Sequence, residues 1–428
     1  VSKIIIAGPR KHGQSWQFHP GGVGTAMNVL ILGDDPEARA WAAWFAARSE
    51  HHLEAVYPGF SGEDHGEAQV SRDLDDALAT PGIELVVVGG PLPARGEALR
   101  RAAVEGLAII CLHPPGEDSE AYYQVALAHA ETGAVIVPDL PLRLHPGVAR
   151  LRQAVASGEL GAFRVVRHES PVPPGHADLA RLAFPRLVDA VRALLGEIEA
   201  LTASGDPPGE HPDLELVVQL RAGEGRRAEV RTWAGHEGPA RLTVTGAAGS
   251  LTLEYGSDLA MPARLIRQGG SSQSGEQILA LGLWDPHEAI VQALSAPALG
   301  PTLIDGTRAM ELSEAVMRSL RRGRTIDLHY ESISEDSTFK SVMTSTGCMI
   351  LLGALSVLPL ALAGPALGIP WTIYLAYAIP PVLVLFVGSQ LLRFGIRHRQ
   401  DRGSNPGAAR KGPRSWGDPH DPTEPADV

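Results

Sequence analysis

Two long uncharged stretches near the C-terminal end limit what this chain can fold into. No charged side chain occurs from Val342 to Ala363, and none from Trp371 to Leu392. Each run is roughly 22 residues, which at about 1.5 Å per residue makes a helix of ~33 Å, against a bilayer core of about 30 Å. Both runs are too long and too uniformly apolar for the buried helices of a globular core. They read as two transmembrane helices, 342–363 and 371–392, joined as a hairpin by the short uncharged connector Gly364 to Pro370. Trp371, Tyr374 and Tyr377 cluster at one end of the second run, as interfacial aromatics do. Arg321, Arg322, Arg324 and Lys340 precede the hairpin; Arg393, Arg397, Arg399 and Arg402 follow it; the connector has no cation. Positive flanks on both outer ends predict a multi-pass protein of the cell (inner) membrane, with body and tail in the cytoplasm. The tail, 393–428, is rich in Pro, Gly, Asp and Arg and is expected to be disordered.

What precedes the hairpin has a different character. The chain has 428 residues, room for two ordinary domains plus this appendage. A formal net charge of -12 gives no reason to expect nucleic acid as a partner. The two cysteines, Cys111 and Cys348, exclude a disulfide framework and fit a reducing compartment. Residues 1–26 show no sustained period. Their Gly21-Gly22-Val23-Gly24 does not follow a credible strand, and no secretory apolar region follows Lys3. They read as a disordered arm, or as an extension upstream of a natural start at Met27.

From Met27 the pattern becomes regular. Asn28 to Leu32 is a continuous apolar run, the mark of a parallel strand buried on both faces. A turn at Gly33-Asp34-Asp35-Pro36 leads into a helix from about Glu37 to Arg48 with Ala38, Trp41, Ala42 and Phe45 on one face. Strands are expected at Leu53 to Tyr57, Ile83 to Val88 and Leu107 to Cys111. A helical turn falls at Leu74 to Leu78, and a helix from Ala94 to Glu105 stops at Gly106. The alternation predicts a doubly wound parallel sheet. Farther on, Leu214 to Leu220, Glu229 to Trp233, Arg241 to Thr245 and Ser250 to Glu254 alternate as strands of a second sheet.

An order of short motifs runs through these elements: Asp75-Asp76-Ala77-Leu78, then Gly82 to Val88, Pro91, Ala102-Ala103-Val104-Glu105-Gly106 and Cys111-Leu112-His113-Pro114. It continues with Pro141 to Pro146, Ala156-Ser157-Gly158-Glu159-Leu160-Gly161, Leu187-Val188-Asp189, Leu195 to Ile198 and a last long helix, Arg308 to Gly323. Over about residues 27 to 328 this order resembles the Gfo/Idh/MocA oxidoreductases, the glucose-fructose oxidoreductase and inositol dehydrogenase group. The resemblance implies a Rossmann-like NAD(P)-binding-type domain over 27–140. It also implies a C-terminal α/β domain over 141–330 with an open, mostly antiparallel sheet, through which a homo-oligomer would form.

The resemblance also implies a dinucleotide cofactor, NAD or NADP, and a set of site positions. Gly33, Asp35 and Ala38 stand at the three positions of the phosphate loop, with Pro91 and Pro114 on later loops. The middle position calls for glycine, so that backbone can approach the pyrophosphate; here it is Asp35 beside Asp34 and Glu37. Asp35 suits a helix N-cap, Pro36 a first helical residue and Glu37 the positive helix end. The ribose-binding acid expected after the second strand is replaced by Tyr57. The group's Glu-Lys-Pro becomes Leu112-His113-Pro114, which leaves His113 as the only proton-transfer group there. Asp189 is retained, Arg186 stands in place of a histidine three residues before it, and Arg95 in place of another. His113 and Asp189 are the catalytic candidates; Arg95 and Arg186 are candidates to hold a small anionic or sugar-like ligand. His51-His52 has no further ligands at metal spacing, so no metal is expected. Two readings stand: a membrane-anchored oxidoreductase fold, degenerate at its cofactor and catalytic positions and acting in binding or assembly; or an active NAD(P)-dependent oxidoreductase on a sugar-like or cyclitol-like substrate.

Overall fold

A computed structural model describes residues 26–59, 68–71, 73–173, 178–205, 215–235, 238–269, 276–296 and 299–328. The two apolar runs, the tail and all but the end of the leader lie outside the described residues. Among the described residues no helix is long and apolar enough to cross a membrane.

The first half alternates strand and helix: β1 (Asn28–Leu32), α1 (Pro36–Ala46), β2 (His52–Tyr57), β3 (Gln69–Val70), α2 (Leu74–Leu78), β4 (Leu85–Val88), α3 (Leu92–Val104), β5 (Ala108–Leu112), α4 (Glu120–Thr132) and β6 (Ile136–Asp139). Its six strands are parallel and ordered β3-β2-β1-β4-β5-β6. Every residue of β4 and β5 is buried, because helices cover both faces, and this is why these strands read as unbroken apolar runs. Cys111 lies in β5 with its thiol pushed up to about 12 by burial. The strands β3 and β6 were not evident in the sequence: β3 is only a two-residue edge, and the apolar run of β6 is cut by Pro138.

A 3-10 turn (Pro141–Leu144) and α5 (Pro146–Ala156) lead to β7 (Phe163–Val172) and α6 (Phe184–Leu195). Then come β8 (Ile198–Gly205), β9 (Glu215–Ala222), β10 (Arg227–Ala234), β11 (Ala240–Gly246), β12 (Gly249–Tyr255), β13 (Arg264–Gly269), β14 (Gln277–Ala280), α7 (Pro286–Ser295), α8 (Leu303–Arg322) and β15 (Ile326–Asp327). The second sheet is mixed, ordered β14-β13-β12-β11-β7-β10-β9-β8-β15. Only β7 and β10 pair in parallel; the other neighbours are antiparallel. One face packs on α5, α6 and α8 through Leu151, Phe184, Val188, Leu312 and Val316.

The last helix starts at Leu303 rather than Arg308. Thr302 and Asp305 form a reciprocal capping box that satisfies two N-terminal amides and fixes the start a turn earlier. Hydrophobic cores do not follow chain order. Ile290, Ala293 and Leu294 of α7 share a core with Trp41 and Phe45 of α1, and Met310 of α8 joins the core on the other face of the first sheet.

Candidate functional site

The site is built at the carboxyl ends of β1, β4, β5 and β6, where open α/β sheets bind ligands. Gly33 turns the chain out of β1 at φ +116°. A Cβ there would lie 2.2 Å from the backbone nitrogen of Gly90, so only glycine lets the two loops touch. Asp35 then caps α1: its Oδ1 accepts from the amides of Glu37 and Ala38, both at 3.1 Å. Its Oδ2 accepts from the Gly90 amide and lies 3.5 Å from Nη2 of Arg95. The helix amides that receive a pyrophosphate in a dinucleotide fold are therefore occupied by the chain's own carboxylate. These residues do not fit a dinucleotide phosphate without displacing Asp35. Ala38 is fully buried, and Pro91 is the N-cap residue of α3 without a side-chain cap.

Both arginines are drawn into the same closure. Arg95 is buried, and its guanidinium donates to the carbonyls of Gly90 (2.7 and 3.0 Å) and Pro114 (2.7 Å). It clamps the loops after β4 and β5 instead of reaching outward. Arg186 donates through Nε to the His113 carbonyl at 2.7 Å and through Nη2 to Glu37 at 2.6 Å, with a second ion-pair contact to Glu37 through Nη1. Both Asp35 and Glu37 thus have an arginine partner, invisible in the sequence because those partners lie 60 and 149 positions away.

His113 is fully buried, its Nδ1 3.0 Å from the Tyr122 hydroxyl. Burial, then the charges of Arg186 and Arg95, holds its pKa well below the usual histidine range, so the ring is neutral and shut away from any ligand. Asp189 is also buried. Its carboxylate takes two bonds from Arg143 (2.9 and 2.6 Å) within a cluster that includes Arg192 and Asp305. Burial pushes the Asp189 carboxyl up despite the arginine. The structure does not bring His113 and Asp189 together at one accessible point.

What it does bring together is a cavity of about 450 Å³ between the two sheets. Glu37, Ala40 and Trp41 of α1 and Asp139 to Leu142 form one side; Ser170 to Pro173, Leu182, Ala183, Arg186, Leu187 and Tyr255 to Leu259 form the other; Pro286 and His287 close it. Arg186 lines it through its Glu37 pair. Tyr255 is set by His168, whose Nδ1 lies 3.1 Å from the Leu187 carbonyl and whose Nε2 lies 2.7 Å from the Tyr255 hydroxyl. A carbonyl can only accept, so Nδ1 carries the proton and the tyrosine donates to Nε2. Burial lowers the His168 pKa to about 4, which keeps that arrangement neutral.

Asp139 is the group that sequence reasoning missed. It ends β6, and its Oδ2 accepts from Trp41 Nε1 at 3.0 Å. An acid at the carboxyl end of a parallel strand is the available signal, hidden because β6 is only four residues long and carries a proline. Burial, with some help from Glu37, pushes its carboxyl up from 3.8 to about 6. Between those values the folded chain keeps a proton that the unfolded chain releases. The stability this gives is fully present below about pH 4 and is lost as pH rises through 6. Asp139→Asn is therefore expected to stabilise the protein at pH 7.5 by on the order of 1–2 kcal/mol and to leave it unchanged near pH 4. Urea unfolding of both chains at the two pH values would test this; equal midpoint shifts at both would refute it.

Among the described residues no group of three or more His, Cys, Asp or Glu side chains could hold a metal ion. No family model matches the chain. The chain is 26% identical to an inositol 2-dehydrogenase of Streptomyces avermitilis over 258 residues, 52% of this chain and 75% of that one. It is 23% identical to the Mycolicibacterium gilvum inositol 2-dehydrogenase over 342 residues, 75% of this chain and 97% of that one. Among solved structures, levoglucosan dehydrogenase in complex with NADH and L-sorbose matches with a TM-score of 0.61 at 18% identity, over 72% of this chain and all of that one. The aldose-aldose oxidoreductase of Caulobacter crescentus matches with a TM-score of 0.60 at 20% identity, over 71% of this chain and 100% of that one. With its parallel six-stranded sheet, its mixed nine-stranded sheet and these similarities, the chain has the fold of the Gfo/Idh/MocA oxidoreductases.

Proposed function

We propose that this chain is a membrane-anchored protein that uses an oxidoreductase fold for binding or assembly and not for hydride transfer. The observation that carries the reading is Asp35. Its carboxylate sits on the first amides of α1, is held by Gly90 and faces Arg95, so a second anion would meet both a steric and an electrostatic barrier there. Three further features point the same way: Tyr57 at the ribose position, the burial of His113, and the absorption of Asp189 into an ion cluster. The anchor is the hairpin 342–363 and 371–392, with the body and tail on the cytoplasmic side of the inner membrane. A homo-oligomer would form across the open face of the second sheet.

A second reading is favoured by the similarity to inositol 2-dehydrogenases and by Asp139. A carboxyl that titrates near 6 in a cavity is placed to accept a proton from a hydroxyl group. On that reading the chain oxidises a sugar-like or cyclitol-like substrate with NAD or NADP.

Titration of the full chain, reconstituted in lipid nanodiscs, with NADH and NADPH separates the two. We expect no saturable fluorescence change below about 0.1 mM of either nucleotide. Micromolar binding of either would overturn the first reading and leave the second.

A further inference from the structure

The wall of the cavity between the sheets has an unusual division of labour. Most of it is apolar, with Leu140, Pro141, Pro171, Val172, Leu182 and Leu259 among its lining residues. Its hydrogen-bonding groups are largely spent on the protein itself. Arg186 is bonded to Glu37 and to the His113 carbonyl, and the Ser170 hydroxyl donates to the Pro171 carbonyl at 3.2 Å. A polyol, which needs a partner for each hydroxyl, would leave buried polar groups unpaired, at a cost of about 1–3 kcal/mol each.

One group stands apart. Asp139 uses Oδ2 to accept from Trp41, and its other oxygen has no hydrogen-bond partner among the described residues. The charges around it do not complete it. Glu37 and Arg186 neutralise each other, and Arg95 is committed to Asp35 and backbone carbonyls. On the remaining walls stand Asp258, which adds negative charge, and His287, whose pKa burial lowers, so that it is neutral at neutral pH. At pH 7.5 the cavity therefore holds a carboxylate without a matching cation in apolar surroundings, a state that a bound cation would relieve.

We propose that this cavity binds a small molecule with a compact apolar body and a single ammonium group, the ammonium seated on the open oxygen of Asp139. The volume suits such a ligand. The proposal rests on the reading of the chain as a binding protein, but it is tested separately from the nucleotide titration.

The test is calorimetric titration of the full chain in lipid nanodiscs, with empty nanodiscs subtracted, using 2-phenylethylamine, 2-phenylethanol and myo-inositol at pH 7.5 and pH 5. The amine is expected to bind at least about tenfold more tightly than the isosteric alcohol, the size of one charge-assisted bond, and myo-inositol not to bind. At pH 5, where Asp139 is mostly protonated, the amine should bind about tenfold more weakly. Asp139→Asn should abolish the preference for the amine. Ala40→Trp, on an exposed helical position at the cavity wall, should weaken both aromatic probes without disturbing the fold. If Asp139→Asn fails to fold, the amine-to-alcohol ratio and its pH dependence in the parent chain decide. Equal binding of amine and alcohol, a preference that survives Asp139→Asn, tighter binding of myo-inositol, or no binding of the amine at millimolar concentration would each overturn the proposal. Absence of amine binding together with absence of NADH binding would remove this proposal alone; micromolar NADH binding would remove the reading beneath it.

Discussion

Truncation of Arg143 to alanine is expected to lower the unfolding free energy by about 3–5 kcal/mol, the loss that follows when one partner of a buried ion cluster is removed. Arg143 gives Asp189 both of its short bonds and gives Asp305 a third at 2.8 Å. Asp189 has a side chain only 1% exposed, so water cannot replace the guanidinium. Arg192, the other cation in reach, lies 3.7 Å from Asp189 and is already bonded to Glu197 at 2.7 Å. Burial has pushed the Asp189 carboxyl up even with Arg143 in place, which shows how far its surroundings disfavour an unpaired charge. Denaturant unfolding checks the value. The double variant Arg143→Ala with Asp189→Ala should lose much less than the sum of the single losses, because removing both partners leaves no orphaned charge. Additive losses would mean that the two residues do not act as a pair. The cluster ties the turn after β6 to α6 and α8, so its role is to fix the floor of the cavity.

Asp35→Gly is expected to have opposite effects on stability and on nucleotide affinity. Glycine is itself an acceptable N-cap and costs helix α1 only a few tenths of a kcal/mol. The larger loss is the acceptor for the Gly90 amide and the charge opposite Arg95; together these should destabilise the fold by about 1–2 kcal/mol. The same change frees the amides of Glu37 and Ala38 and leaves Arg95 without its carboxylate. NADH should then bind at least about tenfold more tightly than to the parent chain, a gain of about 1.4 kcal/mol. Asp35→Asn separates the contributions, since it keeps an acceptor for the helix amides and removes only the charge. Identical NADH binding by all three chains would show that Asp35 is not what closes the loop.

The parts of the fold legible in the sequence were those whose signal is local. Asn28–Leu32 and Ala108–Leu112 announce themselves as uninterrupted apolar runs because both of their faces are covered. The cap at Asp35 and the stop at Gly106 follow from single residues with strong conformational preferences. Strands β13 and β14 were missed because they carry too little apolar alternation: Arg264 to Gly269 holds two arginines, and Gln277 to Ala280 is exposed throughout. The strand β6, with only four residues and a proline, gives no pattern at all, and it carries Asp139, an acid that faces the cavity.

For the site, sequence alone determined that Asp35 opens helix α1 after Gly33, where a dinucleotide-binding loop would carry glycine, and that two uncharged runs of bilayer length follow the body. Those conclusions need only neighbours along the chain. Tertiary structure decided where each charge is matched. Arg95 and Arg186 look in sequence like free cations in a cleft; the fold sets one on the Gly90 and Pro114 carbonyls and the other on Glu37. Asp189 looks like a catalytic acid and is the buried partner of Arg143, while Asp139 looks unremarked and stands in the cavity with one oxygen open. The physical reason is the range of the forces involved. Backbone preference is set within a few residues, whereas the desolvation and pairing of a charge depend on whichever distant segment packs against it.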